Sequence, residues 1–338
     1  MKWCYIVMPL LVACALDNSS EDGNKTVEKA TTPPTHGTQT VANAIRQTPS
    51  VNKVLDGGFF YPQWIDSSSR YLWLHREKHR GLYRYDRTTD KIDSVLPSSY
   101  VVKRVVPLDG GKHWVAVMHM FLKRRRHSAL LYAKNDDQPR TVVQTAGPLK
   151  IVYQHGPWVY FLALEGISAY HIGRDEVVKN PPGRFAYEDF DLKMRLYSNG
   201  RDSVLNPFGE GNYIWVQTHP DSALTLLHKV GRGTFISTLE GDIVDSLGHV
   251  LAPQWTLQGR AVLGMDAYDD GHRFTKSDVL LYHLRSRKLD NLTAQLHLIA
   301  LYPNMSNDGK MLAFSTPDGE VYVVDLSAQF HTPEQKNK

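Results

Sequence analysis

Apolar positions along this chain come in short runs rich in β-branched and aromatic residues, separated by turn residues. No long stretch repeats its apolar positions every three to four residues, so strands are predicted and long helices are not. The pattern is clearest in PNMSNDGKMLAFSTPDGEVYVVDL, residues 303–326. It predicts a strand ending at Ser306, a turn at Asn307-Asp308-Gly309 and a strand over Met311–Phe314. A turn at Pro317-Asp318-Gly319 and a third strand from Val321 to Val324 follow. Asp-Gly supplies the positive φ angles that tight hairpins need. A three-stranded ribbon is unstable without neighbours, so the question is whether the chain repeats it.

It does. APQWTLQGRAVLG (252–264), followed by DVLLYHL (278–284), has the same frame, and so does YPQWIDSSSRYLWL (61–74), followed by GLYRYDR (81–87). Fainter copies are VPLDGGKHWVAVM (106–118), IVYQHGPWVYFLAL (151–164) and LNPFGEGNYIWVQT (205–218). Trp64, Asp109, His155, Phe208, Trp255 and Met305 mark the units at intervals of 45, 46, 53, 47 and 50 residues. Six units of about four strands each predict an all-β, six-bladed β-propeller. The stretch from Asn180 to Asn206 is then an insertion; if it is a further blade, the alternative is a seven-bladed propeller. A β-sandwich fits the strand content but not the regular spacing. The last unit shows three strands, so SVNKVL (50–55) is expected to supply its outer strand and close the ring.

The frame Pro-x-Trp-x-x-x-Gly-Lys-x-apolar-Ala-Phe, then Asp-Gly, then apolar-Tyr-Val-apolar-Asp-Leu, resembles the repeat of TolB-type propellers. The last repeat matches well, those at 62 and 253 follow, and the likeness covers about residues 50–326. It implies the propeller and a cell-envelope setting. TolB itself carries an α/β domain ahead of its propeller, for which this chain has no room, so the likeness does not bring TolB's own role with it. Related propellers gate prolyl oligopeptidases. Those need a hydrolase domain, and the twelve residues after Leu326 do not provide one, so a peptidase is not expected.

The N-terminus sets the expected address. MKWCYIVMPLLVAC has one Lys, an apolar run too short to span a bilayer, and Cys14. Leu11-Val12-Ala13-Cys14 resembles a bacterial lipobox, which implies a signal peptide over 1–13 and acylation of Cys14, for example with palmitate. The other cysteine, Cys4, lies in the removed segment, so the mature chain has no partner for a disulfide. Ala15 after the cysteine favours the outer membrane, on its periplasmic face or the cell surface. Residues 15–49 are polar and rich in Ser and Thr, and read as a tether reaching on the order of 30–35 Å. The domain plan is therefore signal 1–13, lipidated Cys14 and tether to 49, propeller 50–326, and tail 327–338.

Composition agrees: 338 residues, 42% hydrophobic, can bury a large core. Chemistry is sparse. Motifs for serine hydrolases, zincins, P-loops and dinucleotide sites are missing, and the fifteen His residues show no zinc-ligand spacing. No cofactor and no catalytic residue is assigned. HREKHR (75–80) and LKRRRH (122–127) occupy equivalent loops of neighbouring units, which places Arg76, Lys78, Arg80, Lys123, Arg124, Arg125 and Arg126 on one rim. Clustered Arg and Lys suit carboxylate or phosphate partners, although on a chain of net charge +4 they also suit a plain solvated face. The longest such loop, 264–278, holds Asp266, Asp269, Asp270, His272 and Asp278, a conceivable site for a hard cation. Four Asp-Ser-apolar triplets, at 93, 202, 221 and 245, resemble an O-glycosylation motif or simply open strands. The expected function is a non-catalytic binding or scaffold module. It is anchored to the membrane through Cys14 and takes an envelope protein or an anionic glycan, not nucleic acid. The alternative is a lyase or glycosidase working at the central channel.

Overall fold

A computed structural model describes residues 50–122, 125–134 and 137–327. Cys14, the tether, Lys123, Arg124 and the tail from 328 lie outside the described residues. The strands, in chain order, are β1 (Ser50–Leu55), β2 (Phe60–Trp64), β3 (Tyr71–Arg76), β4 (Arg80–Asp86), β5 (Lys91–Leu108), β6 (His113–Leu122), β7 (Arg125–Lys134) and β8 (Arg140–Thr145). There follow β9 (Lys150–His155), β10 (Trp158–Ala163), β11 (Gly166–His171), β12 (Glu176–Lys179), β13 (Arg184–Glu188), β14 (Met194–Ser198) and β15 (Arg201–Val204). The rest are β16 (Tyr213–Thr218), β17 (Leu224–Lys229), β18 (Gly233–Thr238), β19 (Ile243–Gly248), β20 (Leu251–Thr256), β21 (Ala261–Asp269), β22 (Phe274–His283), β23 (Lys288–Asn291), β24 (Leu301–Met305), β25 (Met311–Ser315) and β26 (Val321–Asp325). Among the described residues no helix is long and apolar enough to cross a membrane.

Consecutive strands pair antiparallel. β9 to β12, β16 to β19 and β20 to β23 are four-stranded meanders, and β2 to β8 form one seven-stranded sheet because the 18-residue β5 serves two meanders in turn. The stretch expected as an insertion is instead a three-stranded sheet of its own, β13-β14-β15. Its apolar residues, Phe185, Ala186, Tyr187, Met194 and Tyr197, are buried. The repeat frame hid this sheet because its first strand carries neither the Pro nor the Trp.

β1 lies antiparallel on β26, with Ser50 opposite Asp325, Lys53 opposite Tyr322 and Leu55 opposite Val321, and completes the sheet β1-β26-β25-β24. The Asp318-Gly319 turn abuts the lead-in to β2: Phe59 N donates to Gly319 O at 2.9 Å, and a Cβ on Gly319 would sit 2.7 Å from Gly58 N. Only glycine fits there, at φ +77°. The core is split into layers between neighbouring sheets. One joins Trp64, Leu72 and Leu74 to Ala313, Val321 and Val323, and another joins Leu226 and Ile236 to Val262 and Tyr282.

The first strands of successive meanders are tied to one another, which explains the repeat frame. In β2, β16, β20 and β24 the ladder slips by a bulge at a residue with positive φ: Tyr61, Trp215, Ala252 and Tyr302. A Gln or Asn follows two places on. Gln217 Nε2 donates to Pro253 O, Gln254 Nε2 to Pro303 O, and Asn304 Oδ1 accepts Trp64 N–H. The Trp after the amide reaches the other way: Trp255 Nε1 donates to Gln217 O and Trp64 Nε1 to Asn304 O. A buried indole needs an acceptor for its N–H, and the preceding strand supplies one. Arg104, Lys150 and Glu188 extend the ties through β5, β9 and β13. The chain of bonds returns to β2, so the first strands ring a common axis.

Candidate functional site

Between the two basic loops lies a further cation, Lys103, which the loop pattern did not point to. β5 carries its own bulge: Val102 pairs with Met118 and Arg104 with Val117, leaving Lys103 as the extra residue. Val102 and Val105 are buried on either side, whereas Lys103 and Arg104 are both exposed. A bulge puts two successive side chains on one face, and here that face is the axis of the ring. Lys103 lies between the loops: its charge lowers the pKa of His79 on one side, and Arg126 on the other side lowers that of Lys103 after burial has done so.

The predicted rim residues divide. Arg76 is exposed, with its guanidinium 3.8 Å over the Phe59 ring and Nη1 donating to Gly58 O at 3.1 Å. It braces the entry to β2. Lys78, at φ +58°, is exposed and 3.6 Å from Glu77, and Arg80 reaches Ser98 O at 3.4 Å. Arg125 and Arg126 are exposed at the end of the long β6–β7 hairpin, opposite Leu122 and Phe121, and Phe121 is 71% exposed. Lys123 and Arg124 lie outside the described residues. Tyr61, half-buried, stacks on His79 at 3.9 Å and lies 4.5 Å from Tyr302; the Nδ1 of His79 has no partner among the described residues.

Deeper along the axis, Arg104, Lys150, Glu188, Trp215 and Gln217 line a cavity of about 110 Å³. Arg104 Nη1 donates to Ile151 O at 3.2 Å. Lys150 Nζ bonds both Glu188 Oε1, at 2.5 Å, and Glu188 O, at 3.1 Å, while Glu188 Oε2 accepts Val216 N–H at 3.3 Å. Burial lowers Arg104 and Lys150; Glu188 opposes the shift on both, and Arg104 adds to it on Lys150. Arg104 is accessible to solvent, although protein groups surround it closely enough to lower its pKa. The next acid along, Asp189, is bound to Arg195.

Three further histidines were not legible as a set. His75, His119 and His228 each lie in the second half of the second strand of a meander, are buried, and direct Nδ1 at the third strand. His75 bonds Gly81 O, His119 bonds Ser128 Oγ and His228 bonds Thr234 Oγ1, each at 2.8 Å. Ser128 and Thr234 spend their protons on Gly147 O and Val250 O, so the imidazole Nδ1–H is the donor. That leaves Nε2 of His119 unprotonated, and it accepts a hydrogen bond from Arg126 Nη2 at 3.2 Å. Burial pushes all three down to about 4, with Arg126 and Lys103 contributing at His119 and His249 at His228. The signal in the sequence was a His just ahead of the second loop in three units.

The acidic loop 264–278 is mostly hairpin, with β21 running to Asp269 and β22 starting at Phe274. Its carboxylates face separate partners: Asp266 meets His249 at 3.0 Å, and Asp270 caps its own turn through the N–H groups of His272 and Arg273. No group of three or more potential metal ligands exists among the described residues. Of the Asp-Ser triplets, Asp202 and Asp245 accept bonds from the half-buried hydroxyls of Tyr187 and Tyr282.

No protein-family model and no curated protein matches the chain. Among solved structures the fold is similar to a chain of a mitotic checkpoint complex, with TM-score 0.58 and 12% identity over 89% of this chain and 99% of that one. It is also similar to the C-terminal WD40 domain of Sif2, with TM-score 0.52 and 10% identity over 81% of this chain and 98% of that domain. An oligogalacturonate lyase from Vibrio parahaemolyticus is a looser match, with TM-score 0.46 and 11% identity over 81% of this chain and 79% of that one, and bears no weight on chemistry. Likeness at such identities is likeness of fold, and by it this chain is a β-propeller.

Proposed function

We propose that this protein is a non-catalytic binding module that holds an acidic partner, an envelope protein or an anionic glycan, over the channel mouth. The carrying observation is that Lys103 bridges the two basic loops, beside Arg126 and near His79. The histidines around it are held neutral by burial and by these same cations. The mouth therefore has a surplus of positive charge and no acid among the residues named there except the exposed Glu77. Counting β5 twice and β13–β15 once gives seven blades, and we take the ring as seven-bladed. Anchoring at Cys14 and an outer-membrane address belong to the same reading and rest on the lipobox.

The test is a pull-down with an acidic polymer and an acidic protein at two salt concentrations, using the wild type beside Lys78→Glu/Arg125→Glu, one exposed cation from each loop. Exposed contacts are individually weak and screened within about 8 Å at physiological salt. Binding should therefore fall with salt and fall again in the variant, at an unchanged melting temperature. Identical binding by both proteins would end this reading. The alternative is a lyase or glycosidase at the central channel; a glycosidase of the usual kind uses a pair of carboxylates, and Glu188 is the one acid lining this cavity.

A further inference from the structure

Four successive meanders each send one side chain to the same point of the channel: Arg104 from β5, Lys150 from β9, Glu188 from β13 and Trp215 from β16. Their charges do not balance. Glu188 is fully engaged, with Lys150 on one oxygen and the Val216 N–H on the other. Arg104 spends one of its five N–H donors on Ile151 O, and no carboxylate pairs with it among the described residues. The space between them is about 110 Å³, open to water and enclosed by protein. Trp215, held at φ +54° by the bulge of β16, forms an apolar wall. A bulky residue keeps such a conformation only where its surroundings impose it.

We propose that this cavity binds a small oxyanion, one carboxylate or phosphate group, through Arg104 and Lys150 with Trp215 alongside. The guanidinium fork offers paired donors to two oxygens of such a group, and Lys150 adds a point charge. Glu188 competes with the ligand for Lys150, so in the empty site it stands in for the ligand. The site is separate from the rim, because neither Arg125 nor Arg126 lines it.

The test titrates the full chain at constant ionic strength with glucuronate in one arm and inorganic phosphate in the other, read by calorimetry and by tryptophan fluorescence. Wild type is expected to bind saturably. Arg104→Gln and Lys150→Gln should each weaken binding about tenfold or more, the effect of losing one charge-assisted hydrogen bond. Trp215→Phe should remove the fluorescence response while heat of binding persists. Glu188→Gln should tighten binding several-fold, a sign opposite to that of general damage to the channel. Saturation by one anion alone assigns the ligand to that source, and saturation by both supports the shared chemistry. The proposal is overturned if neither anion saturates at tens of millimolar, if both cation variants bind as the wild type does, or if Glu188→Gln weakens binding. Should Arg104→Gln fail to fold, Lys150→Gln and Glu188→Gln still decide the matter.

Discussion

Lowering the pH from 7 to 5 is expected to cost this fold about 8 kcal/mol: about 6 from three buried histidines of the second strands, and about 2 from His79, which burial pushes down to about 3. His75, His119 and His228 are buried as neutral imidazoles and titrate at about 4, against 6.5 for an exposed histidine. As the pH falls below 6.5 the unfolded chain takes up these protons and the folded chain does not. Stability is therefore full above pH 6.5, declines toward pH 4, and levels off once the folded protein also binds the protons. At pH 5 the linkage amounts to about 2 kcal/mol for each histidine. The carboxylates do not blur the window. Asp175, Asp189, Asp308 and Asp325 are lowered by their hydrogen bonds, so what they contribute is lost only as the pH falls below the ordinary carboxylate range. An unfolding entropy of about 0.6 kcal/mol per kelvin, for roughly 280 folded residues, turns the loss into a fall in melting temperature of about 13 °C. Thermal unfolding followed by circular dichroism from pH 7.5 to 4.5 measures it. His119→Asn keeps a donor near the Nδ1 position and removes the titration, so its stability should vary less steeply with pH by about 1.4 kcal/mol per pH unit. A melting temperature flat to within about 3 °C between pH 7 and 5 would refute the neutral-histidine account.

A chain beginning at Gly57 loses β1 and the half-buried Val51, Val54 and Leu55, on the order of 3 kcal/mol of apolar burial, and bares the edge of β26. It should melt well below a chain beginning at Gln47 or aggregate, and equal melting temperatures would remove β1 from the closure. Gly319→Ala must place a Cβ 2.7 Å from Gly58 N at φ +77°, and should destabilise by about 3 kcal/mol in urea unfolding; a change below about 0.5 kcal/mol would mean that the turn can retreat. Cys14→Ser should abolish lipid labelling and release the protein from membranes; retention after a high-salt wash would refute the lipobox reading.

Much of the fold was legible because the repeat frame encodes contacts as well as turns. Pro-Gln-Trp at 253–255 is a reach in two directions, amide forward to Pro303 O and indole back to Gln217 O, Trp64 reaches back to Asn304 O in the same way, and a chain that repeats such reaches must place its first strands side by side. The closing strand was legible because three strands in the last unit leave an open edge. The site was less so. A positive φ at Tyr61 or Trp215 leaves no mark in the sequence, since neither residue is one that turns select. Lys103-Arg104 between Val102 and Val105 breaks the alternation of a strand, which does signal a bulge, but not which axis the bulge faces. The sheet from Arg184 to Val204 was expected as an insertion, with a further blade as the alternative, because its ties use Glu188 and Thr218, not the repeated amide.

Pairing β1 with β26 also fixes the order of events in folding. Lys53 and its partner Glu320 are 267 positions apart. At ordinary rates of synthesis, Leu55 leaves the ribosome on the order of 15–50 s before Val321 does. The first strand made is thus the last to find its place, and loop closure across such a span costs about 5 kcal/mol in chain entropy before any contact forms. Until then the growing array has two open edges. Afterwards neither end can peel without breaking the same five-residue register, so the join that delays the ring in forming is also the one that slows it in coming apart.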